Sequence, residues 1–243
     1  GLERSCMAMD INLGCSGWVY GLSVLSSLMQ TGNIKKAILL AGDARKQAKE
    51  ELDQLFGYAC TATALEYSKE AKPFYFDLGT DGTGYDAIIR PGGGCRNQFN
   101  EDSLKLELCE DGRKRHAIQT RMKGMDVFAF GITTAPKSIK KLTANYEMDY
   151  TSFDYVILHQ ANYKMTETIR KKLKLDAEKM PYSMLHFGNT SSASIPLTIV
   201  TQLKGKIEDK PTKIIGCAFG VGLSWGTVAF ETEHLLISEL VEV

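Results

Sequence analysis

Two reactive side chains lie where a strand-like segment gives way to a helical pattern. Cys15 stands in the run Gly-Cys-Ser-Gly, and His159 opens the run His-Gln-Ala-Asn, 144 residues further along the chain. A thiolate is a nucleophile, and an imidazole donates a hydrogen bond or exchanges a proton. The free N–H groups at a helix N-terminus favour the thiolate and can hold an oxyanion when a thioester carbonyl is attacked.

Each of these residues also has a structural interpretation. Free cysteines are commonly buried as small apolar groups, and a histidine at a strand end is often a hydrogen-bonded core residue. Asn189, in Gly-Asn-Thr-Ser-Ser-Ala-Ser, taken alone indicates a turn and a helix N-cap. The glycines in Phe-Gly-Val-Gly-Leu, residues 219–223, permit a tight turn with inward N–H groups, and a plain hairpin explains them equally well.

The pattern around these residues predicts a layered α/β protein. Residues 8–13 and 153–158 are expected to be strands, and each is followed by a helix with apolar positions at helical spacing. Residues 37–41 and 213–217 are short apolar runs, typical of strands covered on both faces. Further helices are predicted near residues 50–56, 127–146 and 192–203, with hairpins and loops between 77 and 121.

Composition restricts the function classes. Lys plus Arg and Asp plus Glu both number 29, so the formal charge is zero, which argues against a nucleic-acid binder. Six cysteines without a C-x-x-C pair indicate reduced thiols of a cytoplasmic protein. Four scattered histidines predict no metal site, and the sequence shows neither a signal peptide nor an apolar run long enough for a membrane span.

Four motifs taken in order are more specific than any one alone. Gly-Cys-Ser-Gly-Trp, His-Gln-Ala-Asn, Gly-Asn-Thr-Ser-Ser-Ala-Ser and Ala-Phe-Gly-Val-Gly-Leu-Ser-Trp-Gly follow one another, with 30 residues between His159 and Asn189. From about Cys6 to Phe230 the chain resembles the β-ketoacyl-acyl-carrier-protein synthase III family, condensing enzymes of thiolase-like fold. The tetrapeptide His-Gln-Ala-Asn at His159 argues against the plant chalcone-synthase branch. The asparagine favours the Cys-His-Asn branch over synthases with two histidines.

The resemblance implies a mechanism and a layered α-β-α-β-α fold. Cys15 would take an acyl group from acyl-CoA, and His159 and Asn189 would hold the enolate formed when malonyl-acyl carrier protein loses carbon dioxide. The backbone N–H groups of Cys15 and Val221 would form the oxyanion hole. No metal or bound cofactor is implied.

Basic residues on the helix after His159 match positions that dock the acidic carrier protein in the family. They are Lys164, Lys171 and Lys172, seven and eight residues apart and so on one helix face, which alone indicates only a solvated surface. Family members are homodimers with the strand before the cysteine near the interface, so the resemblance also implies a homodimer.

Three departures from the family pattern qualify the resemblance. Residues 58–64 read Tyr-Ala-Cys-Thr-Ala-Thr-Ala where the family usually has Asp-Gly-Ala-Gly-Ala, and Val221 replaces the middle residue of a glycine triplet. The family's chain also normally begins well before this one. Residues 1–122 are therefore expected to be the end of the N-terminal thiolase-like half, and residues 123–243 the C-terminal half.

Two alternatives stay open at the level of sequence. A Cys-His-Asn thioester hydrolase uses the same three residue types, although papain-like enzymes place their cysteine in a different local sequence. A truncated or degenerate non-catalytic fragment would keep the motifs without a complete site. The acyl primer, and the choice between fatty-acid initiation and a specialised pathway, are left undetermined by these motifs.

Overall fold

The computed structural model of the chain describes residues 3–43 and 55–242. The α-helices are α1 (Gly17–Gln30), α2 (Gly124–Asn145), α3 (Tyr163–Leu173), α4 (Met184–Phe187) and α5 (Ser194–Thr198), the last continued by a π-helical turn over Ile199–Leu203. The strands are β1 (Lys36–Gly42), β2 (Cys60–Glu66), β3 (Tyr75–Thr80), β4 (Ile88–Ile89), β5 (Glu107–Leu108), β6 (Lys114–Arg115), β7 (Arg121–Met122), β8 (Tyr155–Leu158), β9 (Thr212–Gly220) and β10 (Ser224–Thr232).

The central sheet has four strands in the order β3-β10-β9-β8. The β8–β9 pair is parallel, whereas β9–β10 and β10–β3 are antiparallel. Strand β9 is buried except at Lys213, so the prediction that residues 213–217 are covered on both faces is confirmed for residues 214–217. The loop region between β3 and α2 contains the short strand pairs β4–β7 and β5–β6 and two 3-10 turns, Gly82–Gly84 and Glu101–Leu104, as its glycine and aspartate content predicts.

Helices cover the two faces of this sheet. On one face, α1 and α5 pack through Trp18, Leu22 and Ile195 onto the strands and onto β1 beyond them. On the other face, α2 and α3 pack through Ile139 and Ile169. The described residues thus form four alternating layers, α2/α3, the central sheet, α1/α5 and the β1–β2 pair, and the predicted mixed α/β layering is confirmed.

The spacing of apolar residues correctly predicted the two helices that follow Cys15 and His159. Helix α1 ends where Thr31 and Gly32 follow it, and its buried face includes Val19 and Leu22. Helix α3 buries Met165, Ile169 and Leu173, the three positions expected from spacing.

Two predictions about strands are wrong. Residues 8–13 do not form a strand, because they have no ladder partner among the described residues and lie largely exposed. Strand β1 is covered on one face only, since its side chains alternate between α1 and solvent, with Leu40 76% exposed. The helix predicted near residues 50–56 lies mostly outside the described residues, although Phe56 forms a parallel bridge with Asn189.

Candidate active site

Cys15 lies in a tight turn that leads into α1. The N–H of Gly17 donates to the carbonyl of Gly14 at 2.8 Å, which closes the turn, and Ser16 is the buried N-cap position. The Ser16 hydroxyl is 2.7 Å from the hydroxyl of Ser224 at the start of β10. This contact fixes the cysteine turn against the β9–β10 connection.

The β9–β10 connection lies directly on the cysteine. A Cβ placed on Gly220 would stand 2.7 Å from the Cys15 Sγ, so only glycine leaves room for the thiol. The backbone N–H of Val221 and that of Cys15 itself both donate to the sulfur. The Val221 side chain is directed toward Gly14, where an added Cβ would lie 2.5 Å from its Cγ1. The valine therefore keeps the backbone donor at the sulfur while filling space beside the turn.

His159 follows β8 and is held inside the protein. Its backbone N–H donates to the carbonyl of Cys217 at 2.8 Å, and the side chain is only 2% exposed. The ring Nδ1 is 3.2 Å from the Ser194 hydroxyl, and the ring meets Phe219 edge to face at 5.9 Å. Burial lowers the pKa of His159 to about 4, and a backbone contact with Ser191 opposes this. The imidazole is therefore neutral at pH 7 and offers a single N–H donor.

Two backbone hydrogen bonds hold Asn189 in place. Its N–H donates to the Leu55 carbonyl at 2.8 Å, and its own carbonyl accepts from the Gly57 N–H at 3.0 Å. The side-chain Oδ1 accepts from the N–H of Ser191 at 2.9 Å. With the oxygen engaged, the NH₂ branch of the amide is the one that can donate to a substrate.

Ser191 joins the three candidate residues, and sequence reasoning did not single it out. Its side chain lies against the Cys15 thiol, its backbone contacts the His159 ring, and its N–H donates to the Asn189 Oδ1. The residue adopts a φ of +53°, in the left-handed region that non-glycine residues seldom occupy. Cys15, His159 and Asn189 thus converge on one strained residue, and the only sequence signal was its place in the Asn-Thr-Ser-Ser run.

Burial outweighs the electrostatic effect predicted for Cys15. The helix N-terminus was expected to favour the thiolate, but burial raises the pKa of the Cys15 thiol to about 11. The hydrogen bonds from Val221, Ser191 and the cysteine's own N–H lower it by less than burial raises it. At neutral pH the resting residue is a thiol, because desolvation of the charged form outweighs the donors that face it.

The three candidate docking lysines are exposed on α3. Lys164 and Lys172 both face α2: the Lys164 ammonium lies 6.0 Å from the ring centroid of Phe128, and the Lys172 Nζ donates to the Ile132 carbonyl at 2.9 Å. Lys171 lies beside them and is exposed. The surface therefore presents positive charge on the helix that begins four residues after His159.

The described residues contain neither a metal-binding cluster nor a membrane-spanning helix. Within residues 3–43 and 55–242, no three His, Cys, Asp or Glu side chains are grouped so as to hold a metal ion. In the same residues no helix is both long and apolar enough to cross a bilayer.

Comparisons with known proteins agree with this geometry. A family profile described as 3-oxoacyl-[acyl-carrier-protein] synthase III matches residues 9–82, and the profile of the C-terminal part of the same synthase matches residues 143–232. The chain is 30% identical over 230 residues to the β-ketoacyl-[acyl-carrier-protein] synthase III of Clostridium tetani, covering 91% of this chain and 67% of that protein.

Solved structures show the same likeness in three dimensions. The crystal structure of a 3-oxoacyl-(acyl-carrier protein) synthase from Burkholderia xenovorans superposes with a TM-score of 0.87 at 34% identity, covering 100% of this chain and 69% of that one. A second 3-oxoacyl-(acyl-carrier-protein) synthase III structure gives 0.87 at 32% identity, covering 94% and 70%. The chain spans about two thirds of the length of these relatives. The thiolase-like fold and the resemblance seen in the motifs are confirmed, and the chain belongs to the 3-oxoacyl-acyl-carrier-protein synthase III family of condensing enzymes.

Proposed function

We propose that this chain condenses an acyl group from acyl-CoA with malonyl-acyl carrier protein to give 3-oxoacyl-acyl carrier protein. The observation that carries the proposal is the convergence of Cys15, His159 and Asn189 on Ser191. A nucleophile and two neutral donors around one point are what thioester attack followed by enolate stabilisation requires.

The first step transfers the acyl group to Cys15. The sulfur attacks the acyl-CoA carbonyl, and the N–H groups of Cys15 and Val221, which already face the sulfur, hold the oxyanion. The C–S bond to coenzyme A then breaks. Because Cys15 is a thiol at neutral pH, its proton must leave in this step, and the departing coenzyme A thiolate takes it up to become a thiol.

The second step forms the carbon–carbon bond. Malonyl-acyl carrier protein loses carbon dioxide, and the electron pair of the broken bond becomes an enolate whose oxygen accepts hydrogen bonds from His159 and Asn189. The enolate carbon attacks the acyl-Cys15 carbonyl, the C–S bond to Cys15 breaks, and the departing Cys15 thiolate takes a proton from solvent. The low pKa of His159 supports this role, since a neutral imidazole remains a hydrogen-bond donor throughout the neutral range.

Intact-mass spectrometry after incubation with a panel of acyl-CoAs tests the first step. The wild-type chain should gain the mass of one acyl group, Cys15→Ser should gain none, and the exposed Cys60→Ser should behave as the wild type. A mass gain that persists in Cys15→Ser refutes the assignment. A wild-type chain that never gains mass favours the non-catalytic fragment, and release of free acid instead of a 3-oxoacyl product favours the hydrolase.

We propose that the carrier protein docks on Lys164, Lys171 and Lys172. Their exposure on one helix close to His159 supports a surface complementary to an acidic partner. Lys164→Glu should weaken carrier-dependent turnover while leaving acylation from acyl-CoA intact, and the exposed Lys210→Glu is the matched control. Equal loss of both activities in Lys164→Glu contradicts the docking proposal.

We also propose that the chain forms a homodimer through the segment before Cys15. Met7 and Met9 are 60% and 53% exposed, which supports an apolar contact there. Sedimentation of the wild type should give a dimer, and Met9→Lys should shift it toward monomer. A monomeric wild type overturns this proposal.

A further inference from the structure

The side chain of Gln160, directly after His159, is buried and fully engaged. It is 1% exposed, and its Nε2 donates to the carbonyl of Leu158 at 2.8 Å. Its Oε1 accepts two backbone N–H groups, from Ser183 at 3.0 Å and from Met184 at 3.2 Å. A buried amide with all three contacts to backbone links two chain segments that are more than twenty residues apart in sequence.

The second of these segments is the start of helix α4. The first N–H groups of a helix have no partner within the helix and need an outside acceptor. Ser183, at the N-cap position, makes no capping bond, because its hydroxyl is 2.7 Å from that of Thr198. Gln160 supplies the missing acceptor from across the site.

Helix α4 is a single turn that leads directly to Asn189. Gly188 ends the helix with a φ of +62°, and its N–H donates to the carbonyl of Met184. The Gln160 side chain and one helical turn therefore connect His159 to Asn189. Along the chain the two residues are thirty residues apart.

We propose that Gln160 is a positioning residue that sets the spacing between His159 and Asn189. The inference rests on the proposed function, in which both side chains donate to one enolate oxygen. It predicts that loss of the Gln160 contacts impairs decarboxylation and spares the attack of Cys15 on acyl-CoA. Cys15, the Val221 N–H and the Gly220 contact belong to other segments of the fold, and of the groups named at the thiol Ser191 shares a segment with Asn189.

The test compares Gln160→Met with Gln160→Glu in the 243-residue chain. Methionine has similar length but no acceptor for the two N–H groups. Glutamic acid, held in its neutral form by burial, keeps an acceptor oxygen for them and an O–H donor for the Leu158 carbonyl. Acyl-Cys15 formation is read by mass in a single turnover, and carbon dioxide release is read with malonyl-acyl carrier protein. Ser138→Ala is the matched control, since it removes buried hydrogen bonds to Asp77 and Thr227 in a cluster that contacts neither His159 nor Asn189.

Gln160→Met should lower carbon dioxide release about 10- to 100-fold and change acylation by less than about threefold. Gln160→Glu should recover most of the lost decarboxylation, and Ser138→Ala should retain both activities. Crystal structures of the wild type and Gln160→Met should show Asn189 displaced relative to His159 by about 1 Å.

Equal loss of acylation and decarboxylation in Gln160→Met, or an unmoved Asn189, overturns the positioning role. Failure of the proposed function looks different, because the wild type itself then releases no carbon dioxide. In that case the displacement of Asn189 in the crystal structures decides the inference alone.

Discussion

Substitution of Gly220 by alanine tests how tightly the nucleophile is confined. Gly220 is the last residue of β9, and an added Cβ would lie 2.7 Å from the Sγ and 2.8 Å from the Cβ of Cys15. Real Cβ atoms essentially never approach other heavy atoms this closely, so either β9 or the cysteine turn has to move.

Neither neighbour can move freely. Strand β9 is hydrogen-bonded on both sides, to β8 and β10, and the cysteine turn is held by the contact between Ser16 and Ser224. Overpacking of this kind costs about 1–3 kcal/mol. For a chain of this size that corresponds to a melting temperature lower by roughly 2–12 °C. Because the thiol must also rotate away from the Val221 N–H, acylation should slow about 100-fold.

Differential scanning calorimetry and the acyl-CoA mass assay measure the two effects. Gly94→Ala is the control, since a Cβ there meets nothing within 4 Å and should change neither quantity. A Gly220→Ala chain that melts and acylates like the wild type would show that the Cys15 thiol is not packed against β9.

Three further outcomes follow from buried groups. The pKa of His159 is about 4 in the folded chain and an ordinary 6.5 in the unfolded chain, so the unfolded chain binds the proton first as pH falls. The free energy of unfolding should therefore fall by about 3 kcal/mol between pH 7 and 4 because of His159. His159→Gln should lack this fall when unfolding is measured by urea titration. Alkylation of Cys15 by iodoacetamide should rise with pH toward a midpoint near 11, and a midpoint near or below 9 would contradict the burial argument. Asp77→Ala removes the acceptor of Ser138 and Lys141 and should cost about 3 kcal/mol, whereas Lys105→Ala, which breaks an exposed pair, should cost less than about 0.5 kcal/mol.

Local periodicity predicted the elements whose burial follows from their own sequence. Helices α1 and α3 have apolar residues at helical spacing, and residues 214–219 of β9 form an apolar run, so each could be assigned without knowledge of its neighbours. The four motifs likewise located Cys15, His159 and Asn189 on turns at element ends, because small and polar residues mark such turns.

Features that depend on distant partners were not predictable in this way. Residues 8–13 have the alternation of a strand but no ladder partner within residues 3–43 and 55–242, and Leu40 is apolar yet lies on the open face of β1. The pKa of Cys15 depends on burial by segments more than 170 residues away. The role of Ser191 comes largely from its backbone, which residue type does not encode.

The pairing of β3 with β10 has a consequence for synthesis on the ribosome. Thr80 pairs with Ser224, so β3 is without its partner strand until 144 more residues have been synthesised. At translation rates of about 5–20 residues per second, their synthesis takes roughly 7–30 s. During that time β3, with Phe76 and Leu78, is an unpaired strand open to association with other nascent chains. Chaperone binding during this interval should therefore have a larger effect on the yield of folded protein than the stability of the finished fold has.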